Sequence, residues 1–307
     1  MKEHSIQSDL NKIDFIKCEN IKMGDVLHYC INEEHTKERY KIIRILKNIF
    51  LKDSYKYINN GRADMLALCS GDYNHRPEHK SAFKNVVALT DNNMIMICDN
   101  KVFCFSQIKY ISLFIKWVKQ LKSIFTELDE RLYYSGQILK VFVAYNDWQN
   151  ICKKNNIAVR LLMTYCDVMP VDSYFTQKFN NDNKMTITLQ HGTFNINNNS
   201  WGYLGSRSTY FLAESQAAKD TAIEAGYKGN MIVAGSPHHL GDSGENKEKV
   251  MNSIGVVMNS PMQPIEDNLQ MLKLVQDYCK QNNKKLYIKW HPADDNSKYL
   301  NILDKDN

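Results

Sequence analysis

The residues most able to do chemistry follow a short apolar stretch. Residues 184–194 read KMTITLQHGTF, in which 184–189 is the pattern of a buried strand and Gln190, His191 and Gly192 end it abruptly. An imidazole titrates near neutrality, so a histidine there can take a proton as a general base or, once protonated, donate to a phosphate. The glycine that follows lets backbone come close to a ligand. In open α/β sheets ligands sit at the carboxyl ends of the strands, which is where this trio falls.

Four other strand ends carry polar groups. Residues 63–69 (ADMLALC) run into a loop holding Asp72, His75, Arg76 and His79. Residues 159–166 are followed by Asp167, and residues 231–234 by Ser236, His238 and His239. Residues 285–290 end at His291, with Lys289 two positions earlier and therefore on the same side of the strand. One such histidine alone would be an ordinary capping or surface residue. Their recurrence at strand ends singles them out, because parallel strands point their carboxyl ends the same way. His191 and Asp72 are the candidate catalytic groups, with Gln190, Gly192, His75, Arg76, Asp167 and Ser236 as substrate contacts.

Other chemistries find no support in the spacing. His238-His239 and the Asp72, His75, His79 series match neither HExxH nor a zinc-finger pattern, so no metal and no cofactor is expected. GxGxxG, GxxxxGK[ST] and GxSxG are absent, which removes the usual dehydrogenase, P-loop and hydrolase assignments. The net charge of +5 comes from 39 basic residues interspersed with 34 acidic ones, a solvated surface and no nucleic-acid footprint. The eight cysteines contain no CxxC, several lie in apolar runs, and the first fifteen residues contain no apolar h-region. A reducing, cytoplasmic setting is expected. Residues 108–124 carry four lysines and cannot span a bilayer, so any membrane association would be peripheral, at its inner face.

The elements that must hold these groups follow from periodicity. Residues 1–60 are a polar segment with a short helix expected at 42–51. Runs at 86–89, 94–98 and 102–105, separated by Asp91-Asn-Asn and Asp99-Asn-Lys, read as short strands with turns between them. Apolar residues at 111, 114, 115, 118, 121, 124, 125 and 128 describe one long amphipathic helix over 108–132 whose stripe faces the core. Residues 138–144 form an apolar run of open type, continued by a helix to 154. From 159 to 237 strands and helices alternate, with a helix opening at Pro170 and another closed by Gly226. Residues 241–249 read as a linker, and 250–307 supply only strand, helix and strand. The expected class is α/β, with a first Rossmann-like domain over 61–240 and a second, incomplete one from 250, as in a fragment of a longer protein.

LQHGTF, then GSP, then KWHP, in that order, resembles bacterial GT-B glycosyltransferases that build capsular and other surface polysaccharides. The layout is similar to that of CDP-glycerol glycerophosphotransferases, and the HP pair to that of polysialyltransferase-like enzymes. The resemblance spans roughly residues 63–292. It implies an acceptor-side first domain, a second domain for a nucleotide-activated sugar donor, and a glycan or lipid-linked acceptor. By the same carry-over His191 matches the general base or an acceptor-orienting group, and His291 a contact to donor phosphates, with Lys289 able to reach the same anion. A polyol-phosphate transferase, a sugar-nucleotide 2-epimerase and a truncated, non-catalytic acceptor-binding module are the alternatives.

Overall fold

The structure is a computed structural model that describes residues 17–18, 20–32, 50–59, 63–69, 85, 93–103, 105–165, 167–190, 206–236, 252–258, 265–290, 295–299 and 303. The chain divides into two compact units, Met1–Gly241 and Asp242–Asn307.

The first unit opens with a small antiparallel pair, β1 (Lys17–Cys18) and β2 (Ile21–Lys22), followed by helix α1 (Met23–Asn32). Then come β3 (Leu51–Asn59), β4 (Met65–Cys69) and β5 (Asn93–Phe103). A 3-10 turn (Phe105–Tyr110) leads into α2 (Ile111–Gln120) and the long α3 (Leu128–Lys154). Alternation follows: β6 (Leu161–Thr164), α4 (Pro170–Asn181), β7 (Met185–Leu189), β8 (Tyr210–Ala213), α5 (Gln216–Glu224) and β9 (Asn230–Val233). The seven larger strands form one mixed sheet in the order β3-β5-β4-β6-β7-β8-β9. Only the β3–β5 pair is antiparallel. This is an α/β architecture, compatible with the Rossmann-like class.

The winding reverses once. β5 lies on one side of β4 and β6 on the other, so the carboxyl ends of β4 and β6 flank the switch point where such sheets bind ligands. All five residues of β4 are buried, which explains its unbroken apolar sequence. Register assigns the faces. Leu66, Leu68, Met94, Met96 and Leu162 share a core with α1 to α4, while Met65, Ala67, Cys69, Ile97, Met163 and Leu189 lie on the other side. Between α3 and α4 that core is aromatic: Tyr145 and Trp148 meet Phe175 edge-on or tilted at 5.0 and 5.5 Å, and Trp148 meets Phe179 at 5.4 Å.

Three expectations are corrected. Leu51 begins strand β3 and does not end a helix; residues 42–49 lie outside the described residues, as do 86–89. Asp99-Asn-Lys is not a turn: β5 runs on through it, with Ser54 opposite Asn100 and Tyr55 opposite Cys98. Asp99 is the extra residue of a β-bulge, which polar turn-formers also suit. The helix expected over 108–132 breaks at Leu121–Ser123, and Glu127 is extended before α3 begins. The signal for that start was in the sequence, since Asp129 and Glu130 occupy the first turn, where the helix dipole favours carboxylates. Phe125 folds back and stacks on Tyr134 at 4.5 Å. Of the single stripe, Phe114 and Leu121 are buried and Ile111, Ile115 and Leu128 are exposed. α3 is buried or half-buried around most of its circumference over 131–149 because α2, α4 and β3 all pack on it.

Beside β3, buried acids set a prediction. Asp53 pairs with Lys140 at 2.7 Å. Burial, then the nearby Asp53 carboxylate, pushes the Tyr55 hydroxyl well up, and burial, then Asp147, does the same to Tyr57. Burial raises the Cys152 thiol from about 9 to about 11, with Lys184 opposing the shift. Each is an acid whose folded form holds its proton longer than the unfolded form. Their contribution is complete below the unfolded pKa and is lost as pH rises toward the folded one. Urea midpoints should therefore fall between pH 9 and 11 as unfolded Cys152 ionises, and further above about pH 10 as unfolded tyrosines do. Cys152→Val should remove the first part of the fall. A midpoint flat through that window would contradict the assignment.

The second unit contains β10 (Ser253–Val257), α6 (Ile265–Gln281) and β11 (Lys285–Lys289), with the two strands parallel. Val256, Met258 and Leu272 pack with Tyr299, on which Trp290 stacks at 5.2 Å. The buried Asn268 amide donates to the Tyr299 hydroxyl at 3.0 Å.

Candidate functional site

Helix α4 returns the chain from β6 to β7, and between β7 and β8 it returns through residues 190–209. The described ends of that segment are pinned. Gln190 is 3% exposed. Its amide N–H extends the ladder by donating to the Leu212 carbonyl at 3.0 Å, and its side-chain oxygen accepts from the Glu214 N–H at 3.0 Å. Glu214 in turn accepts from the Ser236 hydroxyl at 3.4 Å. Gln190, Glu214 and Ser236 thus link the carboxyl ends of β7, β8 and β9 in series. Ser215, the next residue, caps α5 by accepting from the Ala218 N–H at 3.1 Å.

The other end is held by Asp167, which is 1% exposed. One carboxylate oxygen, Oδ2, accepts from the Ser206 hydroxyl (2.8 Å), the Arg207 N–H (2.8 Å), the Ser208 N–H (3.0 Å) and the Ser208 hydroxyl (2.7 Å). Because Ser208 spends its proton on the carboxylate, Thr188 must donate to Ser208 at 2.5 Å, and Thr164 to Thr188 at 2.7 Å. The result is a directed relay of hydroxyls across β6 and β7 that terminates on Asp167. Oδ1 is buried without a hydrogen-bond partner among the described residues.

Further ties fix residues 206–209. The Asn180 amide donates to the Arg207 carbonyl at 2.7 Å, and the Arg207 guanidinium pairs with Asp25 of α1 at 3.0 Å. The Thr209 N–H donates to the Thr186 hydroxyl at 2.7 Å, and that hydroxyl donates to Asn180 at 2.8 Å. Tyr227 borders the same cluster. Burial raises its hydroxyl pKa, the Asp167 charge adds to the rise, and a hydrogen bond with Ser206 opposes it.

Of the residues singled out from sequence, Asp167, Gln190 and Ser236 stand at the carboxyl edge of the first unit's sheet, and Glu214 joins Gln190 to Ser236. Asp167 anchors residues 206–208. Lys289 is exposed at the end of β11 in the second unit. Asp72, His75, Arg76, His191, Gly192 and His291 lie outside the described residues. In chain order, however, Asp72, His75 and Arg76 follow β4, one of the two strands at the switch point, and His191 directly follows Gln190.

Sequence reasoning missed Glu214, Ser206, Ser208 and the threonine row. Glu214 falls between the strand and the helix that Gly226 closes, and was not counted among the polar strand ends. The alternation Thr186, Thr188 on a buried strand was the available signal, because buried hydroxyls require partners. Among the described residues no group of three or more His, Cys, Asp or Glu is placed to hold a metal ion, and no helix is long and apolar enough to cross a membrane. Compared with known proteins, the chain matches no family model, no curated protein and no solved structure.

Proposed function

We propose that the protein is a GT-B-type transferase that moves a sugar from a nucleotide-activated donor onto a growing surface glycan or lipid-linked acceptor. The observation that carries this reading is the pinned carboxyl edge. Gln190, Glu214 and Ser236 hold three strand ends in fixed relation, and the chain enters His191 from the first of them. A general base needs such support, since misplacement by about 1 Å costs orders of magnitude in rate.

In this reading His191 removes the acceptor hydroxyl proton as the oxygen attacks the anomeric carbon. The bond from that carbon to the donor phosphate oxygen breaks, and the nucleotide departs with the electron pair. His291 and Lys289 offset the charge that develops on the leaving phosphate. Asp72, His75 and Arg76, placed in chain order after β4 at the switch point, contribute the remaining acceptor contacts. The βαβ arrangement of the second unit is part of the βαβαβ pattern of mononucleotide-binding halves and is compatible with a donor site ahead of His291.

A donor panel tests the proposal. The full chain is incubated with UDP-sugars, CMP-sugars and CDP-glycerol, each with a glycan acceptor, and released nucleotide is quantified. Acceptor-dependent release from a sugar nucleotide is expected. Release from CDP-glycerol alone would move the assignment to polyol-phosphate transfer. No release from any donor, with no nucleotide heat in calorimetry and retained glycan binding, would replace the enzyme by an acceptor-binding module.

A further inference from the structure

Helix α2 carries an apolar stripe wider than the strip that the fold buries. Phe114 and Trp117 point inward with Leu121, and Phe142 of α3 meets Tyr110 edge-on at 5.5 Å and Trp117 at 5.9 Å. These contacts fix the rotation of the helix. At roughly 100° per residue, Ile111 lies about 60° and Ile115 about 100° round from Phe114, along the solvent-facing edge of the apolar stripe, with Ile108 of the preceding turn beside them. All three are open to solvent, at 51% for Ile108, 52% for Ile111 and 47% for Ile115.

Isolated exposed isoleucines are common on protein surfaces, but three in one row are not isolated. Charge is arranged around that row. Lys109, Lys116, Lys119 and Lys122 are exposed on or beside it. Residues 100–126 contain five lysines and no aspartate or glutamate. Elsewhere in the chain the two signs are interspersed, so this segregation is local. An open groove of about 420 Å³ lies on the same face, lined by Ser112, Ile115, Lys116, Lys119 and Gln120. Its two ammonium groups and one hydroxyl suit an anionic headgroup.

We infer that this outward face of α2 seats the protein on an anionic lipid surface. The isoleucine row enters the boundary between headgroups and acyl chains while the lysines contact lipid phosphates, the arrangement of an interfacial amphipathic helix. An acidic protein partner would satisfy the lysines but has less use for three aligned isoleucines. A neutral apolar partner would leave the lysines unpaired. A lipid surface uses both. The inference rests on this helix alone and is independent of the reaction proposed above.

Vesicle co-sedimentation tests it, with phosphatidylcholine alone and with phosphatidylglycerol at roughly one part in three. Binding to the mixed vesicles that weakens as salt shortens the screening length is expected. Lys116→Gln with Lys119→Gln should weaken it about fivefold per lysine, and Ile108→Ser, Ile111→Ser and Ile115→Ser together by roughly tenfold or more. Ile223→Ser, an exposed isoleucine on α5, should change nothing. Thermal unfolding of each variant separates lost binding from lost fold, and the exposed lysine pair remains decisive if the triple variant is destabilised. The inference is overturned by absence of binding to the mixed vesicles, by equal binding to phosphatidylcholine alone, or by indifference to the α2 substitutions. Self-association that the serine variants abolish, without vesicle binding, would overturn it in favour of a second copy of the chain.

Discussion

Replacing His191 by alanine is expected to lower transfer by roughly 10² to 10⁴ in kcat, the usual contribution of a positioned general base. The unfolding midpoint should stay where it is, because the described anchors of this segment are Gln190 at one end and Ser206 to Thr209 at the other. A general-base role also predicts that the rate of the unmodified protein rises with pH through the histidine range, and that this dependence disappears in the variant. Unchanged turnover would remove His191 from the mechanism. A raised KM with unchanged kcat would make it an acceptor contact only, since uniform binding then accounts for its whole effect.

The second large effect concerns stability. Asp167→Ala deletes the carboxylate that accepts from two backbone N–H groups and two hydroxyls within the first unit. Stranding buried donors costs about 1–3 kcal/mol for each group left unsatisfied, and part of that is recovered where a hydroxyl turns to another acceptor. A loss of about 3–5 kcal/mol in urea unfolding is therefore expected. Asp167→Asn keeps an acceptor oxygen at the same place and should lose less, about 1–3 kcal/mol, as charge-assisted bonds become neutral ones. Asp25→Ala, which breaks a half-exposed pair with Arg207, should cost no more than about 1 kcal/mol. The test is the order of losses, with Asp167→Ala largest, Asp167→Asn next and Asp25→Ala smallest. An Asp167→Ala variant within about 1 kcal/mol of the parent would show that residues 206–208 are held by something else.

The two predictions are connected. Asp167 was singled out from its position past a strand end, as a substrate contact, and the structure shows it holding residues 206–208. By securing the point where the chain returns from residues 191–205, it supports whatever His191 does. Loss of transfer in Asp167→Asn at temperatures where the fold persists would report that support directly.

Much of the α/β pattern was legible in residue order because it depends on local rules. Buried parallel strands are short apolar runs, so 65–69, 185–189 and 210–213 stood out. Pro170 suits a first helical turn, and Gly226 adopts a positive φ of 98° at the end of α5. Strand-end polar residues were visible for the same reason. What misled was also local. Asp99-Asn-Lys carries turn chemistry yet sits in a bulge, where pairing with β3 compensates the interruption. The regular apolar spacing over 108–132 concealed a break that depends on where α2 and α3 find partners.

The sequence by itself therefore determined the class of fold, the strands that end in polar groups and the presence of a histidine after β7. Only the tertiary structure decided which strands are neighbours, and with that the switch point between β4 and β6. It also decided that Asp167 collects the 206–208 segment, that Glu214 joins Gln190 to Ser236, and that Ile108, Ile111 and Ile115 face out instead of in. The physical reason is the same in each case. A hydrogen-bond partner about 40 residues away and the rotation of a helix about its own axis are set by packing between elements. Spacing along the chain specifies a period, but not which part of a wide apolar stripe the core will take.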